Sequence, residues 1–252
     1  MAQLLVLMLL LVTLPSWGTV QQPPAEGDME VTLSPTGDTF INIDSINYSG
    51  EPNLNLYTWP NNQIANAIIL KFDTSGIPTN ATVVTAQLTL VMEEADSAVA
   101  TTYSSGAHKL LKPVVTSQAT GNIYATGSNW TANACCFNSI PMAQSSSDIA
   151  PVETIVQLNR TLEDKTWSIP VMTQQWVQSP STNYGVMINS DTASGADGYR
   201  TFKSQEHGDT ADRPTLTITY NLPGGAQDPG NGTVKGNASG LVIKGGTGQT
   251  WR

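Results

Sequence analysis

The sequence predicts an all-β protein: an antiparallel two-sheet β-sandwich of the jelly-roll type, with one short helical turn over residues 171–177. Three observations carry this expectation. Only 12% of the 252 residues are charged, and Thr, Ser, Asn and Gly dominate the polar remainder. That mixture is poor in helix formers and suits strands joined by turns. Between residues 29 and 220, apolar residues recur with period two in short runs bounded by turn-forming clusters, as expected for strands with one buried face. No amphipathic helices alternate with these runs, so consecutive strands should pair antiparallel in two packed layers.

The elements follow in chain order. Residues 4–14 form an apolar run of signal-peptide length, too short to cross a bilayer. Ser16 and Gly18 provide the small residues of a cleavage site after Gly18, although Met1-Ala2-Gln3 brings no Lys or Arg. Residues 1–18 therefore read as a signal peptide and residues 19–28 as a polar leader. The expected location is secreted, extracellular or on the cell surface. Strand candidates open at residues 30–33, 39–42 and 54–59. Ile68, Leu70 and Phe72 then alternate with Lys71, and Ala86, Leu88, Leu90 and Met92 continue a face begun by Val84. Further short candidates lie at 109–111, 166–169, 186–189 and 199–203. Leu216, Ile218 and Tyr220 alternate with Thr215, Thr217 and Thr219, which closes the domain.

Two segments interrupt the pattern. After Pro170, Met172 and Trp176 sit four apart and predict one or two helical turns capping the sandwich, with Trp176 in the core. Residues 116–150 are polar and weakly periodic, either an excursion between the sheets or a surface loop carrying specificity. One domain is thus expected over 29–221. Residues 222–252 hold nine glycines and only Leu241, Val242 and Ile243 as an apolar stretch. They read as a flexible linker, or as a tail that pairs with another subunit or another surface protein.

Charge and motifs narrow the chemistry. Eleven basic against twenty acidic residues give a net charge of -9, which repels phosphate backbones and argues against nucleic acid. No second apolar run predicts a transmembrane anchor. Glu93 and Glu94 are adjacent on a strand, so their side chains point to opposite faces and cannot act as a glycosidase pair. His108 and His207 are the only histidines: His108 has no nearby acid in sequence, and His207, after Glu206 in a Gly- and Asp-rich loop, reads as a turn residue. No serine-hydrolase, zincin or P-loop motif occurs. Cys135 and Cys136 are adjacent, a spacing that fits buried thiols better than a strained disulfide or a zinc site.

Three constellations remain. Tyr57 and Trp59 lead into Asn61 and Asn62, an aromatic platform beside amides that suits stacking on a sugar ring, and Trp130 is a second platform candidate. Asp191 and Asp197 share a Gly-rich loop, while Asp38 and Asp44 form a second carboxylate pair, so structural calcium is a candidate at either place. Glu206 is expected to form an ion pair with Arg213 or Arg200, tying the last two strands together. Six Asn-x-Ser/Thr sequons are present, at Asn47, Asn80, Asn129, Asn159, Asn231 and Asn237.

The order of several segments resembles the DNRLRE-domain proteins, a family overlapping disaggregatase-related repeats and a class of carbohydrate-binding modules. The segments are Asp38-Thr39-Phe40-Ile41, Asn47-Tyr48-Ser49-Gly50, Leu70-Lys71-Phe72-Asp73, Ala86-Gln87-Leu88-Thr89-Leu90 and Asn183-Tyr184-Gly185. Phe202-Lys203-Ser204-Gln205-Glu206 and the strand from Arg213 to Tyr220 complete the series. The letters that name the family do not occur. The resemblance implies an accessory β-sandwich in an extracellular, polysaccharide-directed protein. The expectation is therefore a non-catalytic module that binds extracellular polysaccharide. A structural or assembly protein of a cell surface, filament or virion is the rival, and a polysaccharide-degrading enzyme comes third.

Overall fold

The computed structural model describes residues 28–59, 63–96, 102–131, 140–192, 198–223 and 242–244. The long strands are β1 (Met29–Leu33), β2 (Pro35–Asn42), β3 (Asn53–Trp59), β4 (Gln63–Phe72), β5 (Thr82–Ala95) and β6 (Tyr103–Leu110). A small hairpin, β7 (Ile123–Ala125) and β8 (Ser128–Asn129), precedes β9 (Ile149–Leu158) and β10 (Asp164–Ser168). The helix α1 (Pro170–Gln178) leads to β11 (Val186–Thr192), β12 (Gly198–Lys203) and β13 (Thr215–Asn221), and β14 (Val242–Lys244) comes last.

The mainly β content and the single short helix match the expectation, but the layering differs. Twelve strands form one continuous antiparallel sheet, in the order β14-β1-β13-β5-β12-β3-β4-β11-β6-β9, with β10 added on β5 and β2 on β4. The fourteen-residue β5 makes the sheet continuous. Its first part pairs with β13 from Thr82 to Thr89, and its end pairs with β12 from Met92 to Ala95. The sheet therefore curls around its core as a half-barrel, where two separate sheets had been expected. Period-two alternation cannot distinguish the two arrangements, because both bury one face of every strand.

The curl encloses a core that includes Leu54, Leu56, Ile68, Leu70, Leu88, Leu90, Trp167, Trp176, Phe202, Leu216 and Ile218. At about 25 cal/mol per Å² of apolar surface removed from water, this is the main stabilising contribution. The helix covers part of it with Met172, Trp176 and Val177. Ile169 at its N-cap provides no side-chain cap. The Glu153 carboxylate on β9 instead accepts from the Val171 and Met172 N–H groups at 2.7 and 2.8 Å.

A second core lies on the other face of β2, β4, β6 and β11. Ile41, Ala67, Ile69, Leu110 and Met187 point away from the main core and are covered by Val114, Ala119, Trp130, Ile140, Met142, Ala143 and Ile149. The described part of the polar excursion is thus neither an insertion between layers nor an open loop. It roofs the second face of the sheet. In the C-terminal region expected to be linker, β14 forms a strand at the edge of β1.

Candidate ligand-binding face

The Asn53-Leu54-Asn55-Leu56-Tyr57 stretch of β3 alternates strictly. Leu54 and Leu56 are at most 1% exposed in the main core, so Asn53, Asn55 and Tyr57 emerge on the outer face. β12 repeats the rule, with Phe202 and Arg200 inside and Tyr199, Thr201 and Lys203 outside. The register sets Tyr199 opposite Tyr57, Thr201 opposite Asn55 and Lys203 opposite Asn53. On the far side of β12, Glu94 of β5 lies opposite Thr201. Three strands thereby form one polar surface with two aromatic rings at one end.

The rings of Tyr57 and Tyr199 meet edge to face, 6.3 Å between centroids at 82°. The Tyr199 hydroxyl donates to Glu94 Oε1 at 2.8 Å. This bond, with burial and the Glu94 charge adding to it, raises the Tyr199 phenol above its ordinary value. At the other end Lys203 pairs with Asp212, which raises the ammonium above its usual range. His207 Nε2 lies 3.4 Å from Glu93 Oε1. Asn53 Oδ1, Asn55 Oδ1 and Glu93 Oε2 are shielded from solvent with no protein donor. The face thus combines ring surface with the exposed Glu94 carboxylate, an acceptor for hydroxyl donors, while the amide oxygens of Asn53 and Asn55 lie beneath the surface.

The expected site residues divide sharply. Tyr57 lies on this face. Asn61, Asn62 and Asp197, with the side chains of Trp59 and Asp191, lie outside what the structure describes. Trp130 does not provide a platform: it is 2% exposed, its Nε1 donates to the Thr120 carbonyl at 2.8 Å, and its ring packs 5.4 Å from Tyr124. The apolar outer face of β4 and β11 draws it inward.

Asp38 and Asp44 are not gathered into one cation site. Asp44 Oδ2 accepts from Asn42 Nδ2 at 2.6 Å and from the Tyr48 hydroxyl at 2.8 Å, and Oδ1 accepts from the Ile46 N–H at 2.9 Å. These donors fold a local Asx turn. Asp38, 1% exposed, instead accepts from the Gln205 N–H at 2.9 Å. Among the described residues no three His, Cys, Asp or Glu side chains converge.

The expected Glu206 ion pair is also replaced. Arg200, fully buried, pairs with Asp96 at 2.7 Å, donates to the Asn159 carbonyl and lies 5.1 Å from the centre of the Tyr103 ring. Arg213 donates from Nε and Nη2 to the His207 carbonyl at 3.0 and 2.9 Å. Glu206 accepts from Gln205 Nε2 at 2.7 Å and lies beside Asp38. Arg200 projects inward because its neighbours Tyr199 and Thr201 occupy the outer positions of β12, so only the interior can supply its counter-charge.

Sequence reasoning missed Asn53, Asn55, Glu94 and Tyr199 as members of one face. The Asn-x-Asn-x-Tyr alternation was the available signal on β3, whereas nothing local indicates that Tyr199 becomes the neighbour of Tyr57. Comparison with protein-family models and with curated proteins finds no match for this chain.

Proposed function

We propose that the protein is a non-catalytic extracellular module that binds polysaccharide on the outer face of β3, β12 and β5. The observation that carries this reading is the Tyr57–Tyr199 ring pair set beside Asn55, Asn53 and Glu94 on one regular surface. Aromatic faces stack on the C–H side of sugar rings, while carboxylate oxygens accept from sugar hydroxyls. The three-strand backbone holds these groups in place before ligand arrives, which limits the ordering cost of binding. The signal-peptide-like N-terminus and the resemblance to DNRLRE domains support an exported protein. The curl around the main core is the feature by which the fold is read as a variant of the two-layer jelly-roll sandwich.

The test is a glycan-array and insoluble-polysaccharide binding assay on the parent protein and on Tyr57→Ala and Tyr199→Ala. Binding should weaken about tenfold or more in each variant, or about 1.4 kcal/mol, with the fold unchanged by circular dichroism. Parental binding in both folded variants, or no glycan bound by the parent, would sink the reading.

An assembly role is the second reading, and one observation favours it. β9 ends the strand order, and on it Val152 and Ile155 are 40% and 51% exposed. An apolar edge strand is a template for association. Self-association in sedimentation experiments that Ile155→Lys abolishes would support it over glycan binding.

A further inference from the structure

Strict alternation would send Glu93 and Glu94 to opposite faces of β5, but a break in register intervenes. Met92 pairs with Phe202 and Glu94 with Thr201, so Glu93 is the extra residue of a β-bulge. Met92 and Phe202 point into the main core, at 2% and 0% exposure. Both carboxylates that follow Met92 stay out of it. Glu93 Oε1 lies 3.4 Å from His207 Nε2, and Glu94 Oε1 accepts from the Tyr199 hydroxyl at 2.8 Å.

This gives the outer face of β3, β12 and β5 a definite charge. β3 carries no charged residue, and those of β12 are Arg200 and Lys203. Arg200 is fully buried on the inner side with Asp96, and Lys203 is neutralised by Asp212. Glu94 is exposed, and its partner Tyr199 is a neutral donor that leaves the carboxylate its charge. The face is therefore negative beside the rings, on a protein of net charge -9. Uronate and sulfate groups are repelled there. A protonated amine is attracted twice, by the Glu94 carboxylate and by tyrosine faces, which hold cations within about 6 Å of the ring centre. The planes of Tyr57 and Tyr199 stand at 82°, so the two rings do not cover each other face to face.

We propose that the ligand of this face is an amino-sugar polymer with free amines, one sugar stacking on a tyrosine ring while its ammonium group pairs with Glu94. This inference rests on the glycan reading above and names its substrate class. Glu94 selects the charge of the ligand, and the rings select a sugar.

The test compares soluble oligomers with the full-length chain by calorimetry, at about pH 6, between the ordinary carboxylate and amine values. The probes are a glucosamine oligomer, its fully N-acetylated counterpart, a galacturonic acid oligomer and oligo-lysine. The glucosamine oligomer should bind at least tenfold tighter than the N-acetylated one, and the galacturonic acid oligomer should not bind. Glu94→Gln keeps an oxygen to accept from Tyr199 and removes only the charge. It should weaken glucosamine binding about tenfold and leave the circular dichroism spectrum unchanged. Equal or tighter binding of the N-acetylated or galacturonic acid oligomer, or parental glucosamine binding by Glu94→Gln, overturns the inference and leaves the glycan reading standing. Oligo-lysine bound as tightly as the glucosamine oligomer shows that charge alone is read, and overturns it too. If none of these oligomers and no glycan of the array binds, the glycan reading itself falls and this inference with it.

Discussion

Replacing Asp38 by Asn probes a place where two carboxylates, Asp38 and Glu206, are packed together. Asp38 is 1% exposed; its Oδ2 accepts from the Gln205 N–H, while Oδ1 has no donor. Beside it, Glu206 accepts from Gln205 Nε2 through Oε1, and its Oε2 also lacks a donor. A proton held between the two carboxylates satisfies both orphaned oxygens. Burial chiefly, then the neighbouring Glu206, push the Asp38 carboxyl up to about 7, with the Gln205 N–H and the Arg213 charge pulling the other way. The folded state keeps a proton that the unfolded chain releases near 3.8. The associated stability is therefore fully present below about pH 4, falls as pH rises through about 7, and levels off above that. At about 1.4 kcal/mol per pH unit the loss is about 4 kcal/mol, an upper bound that belongs to the pair of carboxylates. Asn at position 38 keeps the acceptor for Gln205 and offers an N–H to Glu206 without titrating. Urea unfolding from pH 4 to 8 should show parental stability falling across this window. Asp38→Asn should flatten the profile and be the more stable protein at pH 8. A parental profile that is flat or rising, or an equal slope in both proteins, would refute the shared proton.

The remaining predictions concern packing and buried charge. Arg200→Ala leaves the Asp96 carboxylate, 7% exposed, without its guanidinium, and should cost about 3–5 kcal/mol in chemical unfolding. Trp130→Ala should cost about 3–5 kcal/mol by emptying part of the second core, yet leave any glycan affinity of the folded protein unchanged. Gly185 has φ +104°, and an added Cβ would lie 2.5 Å from the Leu70 carbonyl oxygen. Gly185→Ala should therefore lower stability by about 1–3 kcal/mol, read as a reduced Tm.

The site was partly legible. Alternation in Asn53-Leu54-Asn55-Leu56-Tyr57 already separates buried leucines from an outward row of amides and an aromatic. The second core left a signal too: Ala67-Ile68-Ile69-Leu70 and Val186-Met187-Ile188 are continuous apolar runs, as expected for strands covered on both sides. Reading only Ile68, Leu70 and Phe72 from the first run hides the covering of Ala67 and Ile69, and makes Trp130 look exposed. β9 escaped notice because it is an edge strand whose exposed and covered residues do not alternate cleanly.

By itself, the sequence determined the β character of the protein, its short helix at Pro170 and which leucines and isoleucines of the main core face inward. These follow from propensity and periodicity, which act between near neighbours. Only the tertiary structure decided that β5 joins the strands into one curled sheet, that Arg200 pairs with Asp96, that Asp38 lies beside Glu206 and that Tyr57 meets Tyr199. Each of those joins residues far apart in the chain. Such partners are chosen by strand register and burial of the whole sheet, and no local pattern encodes them.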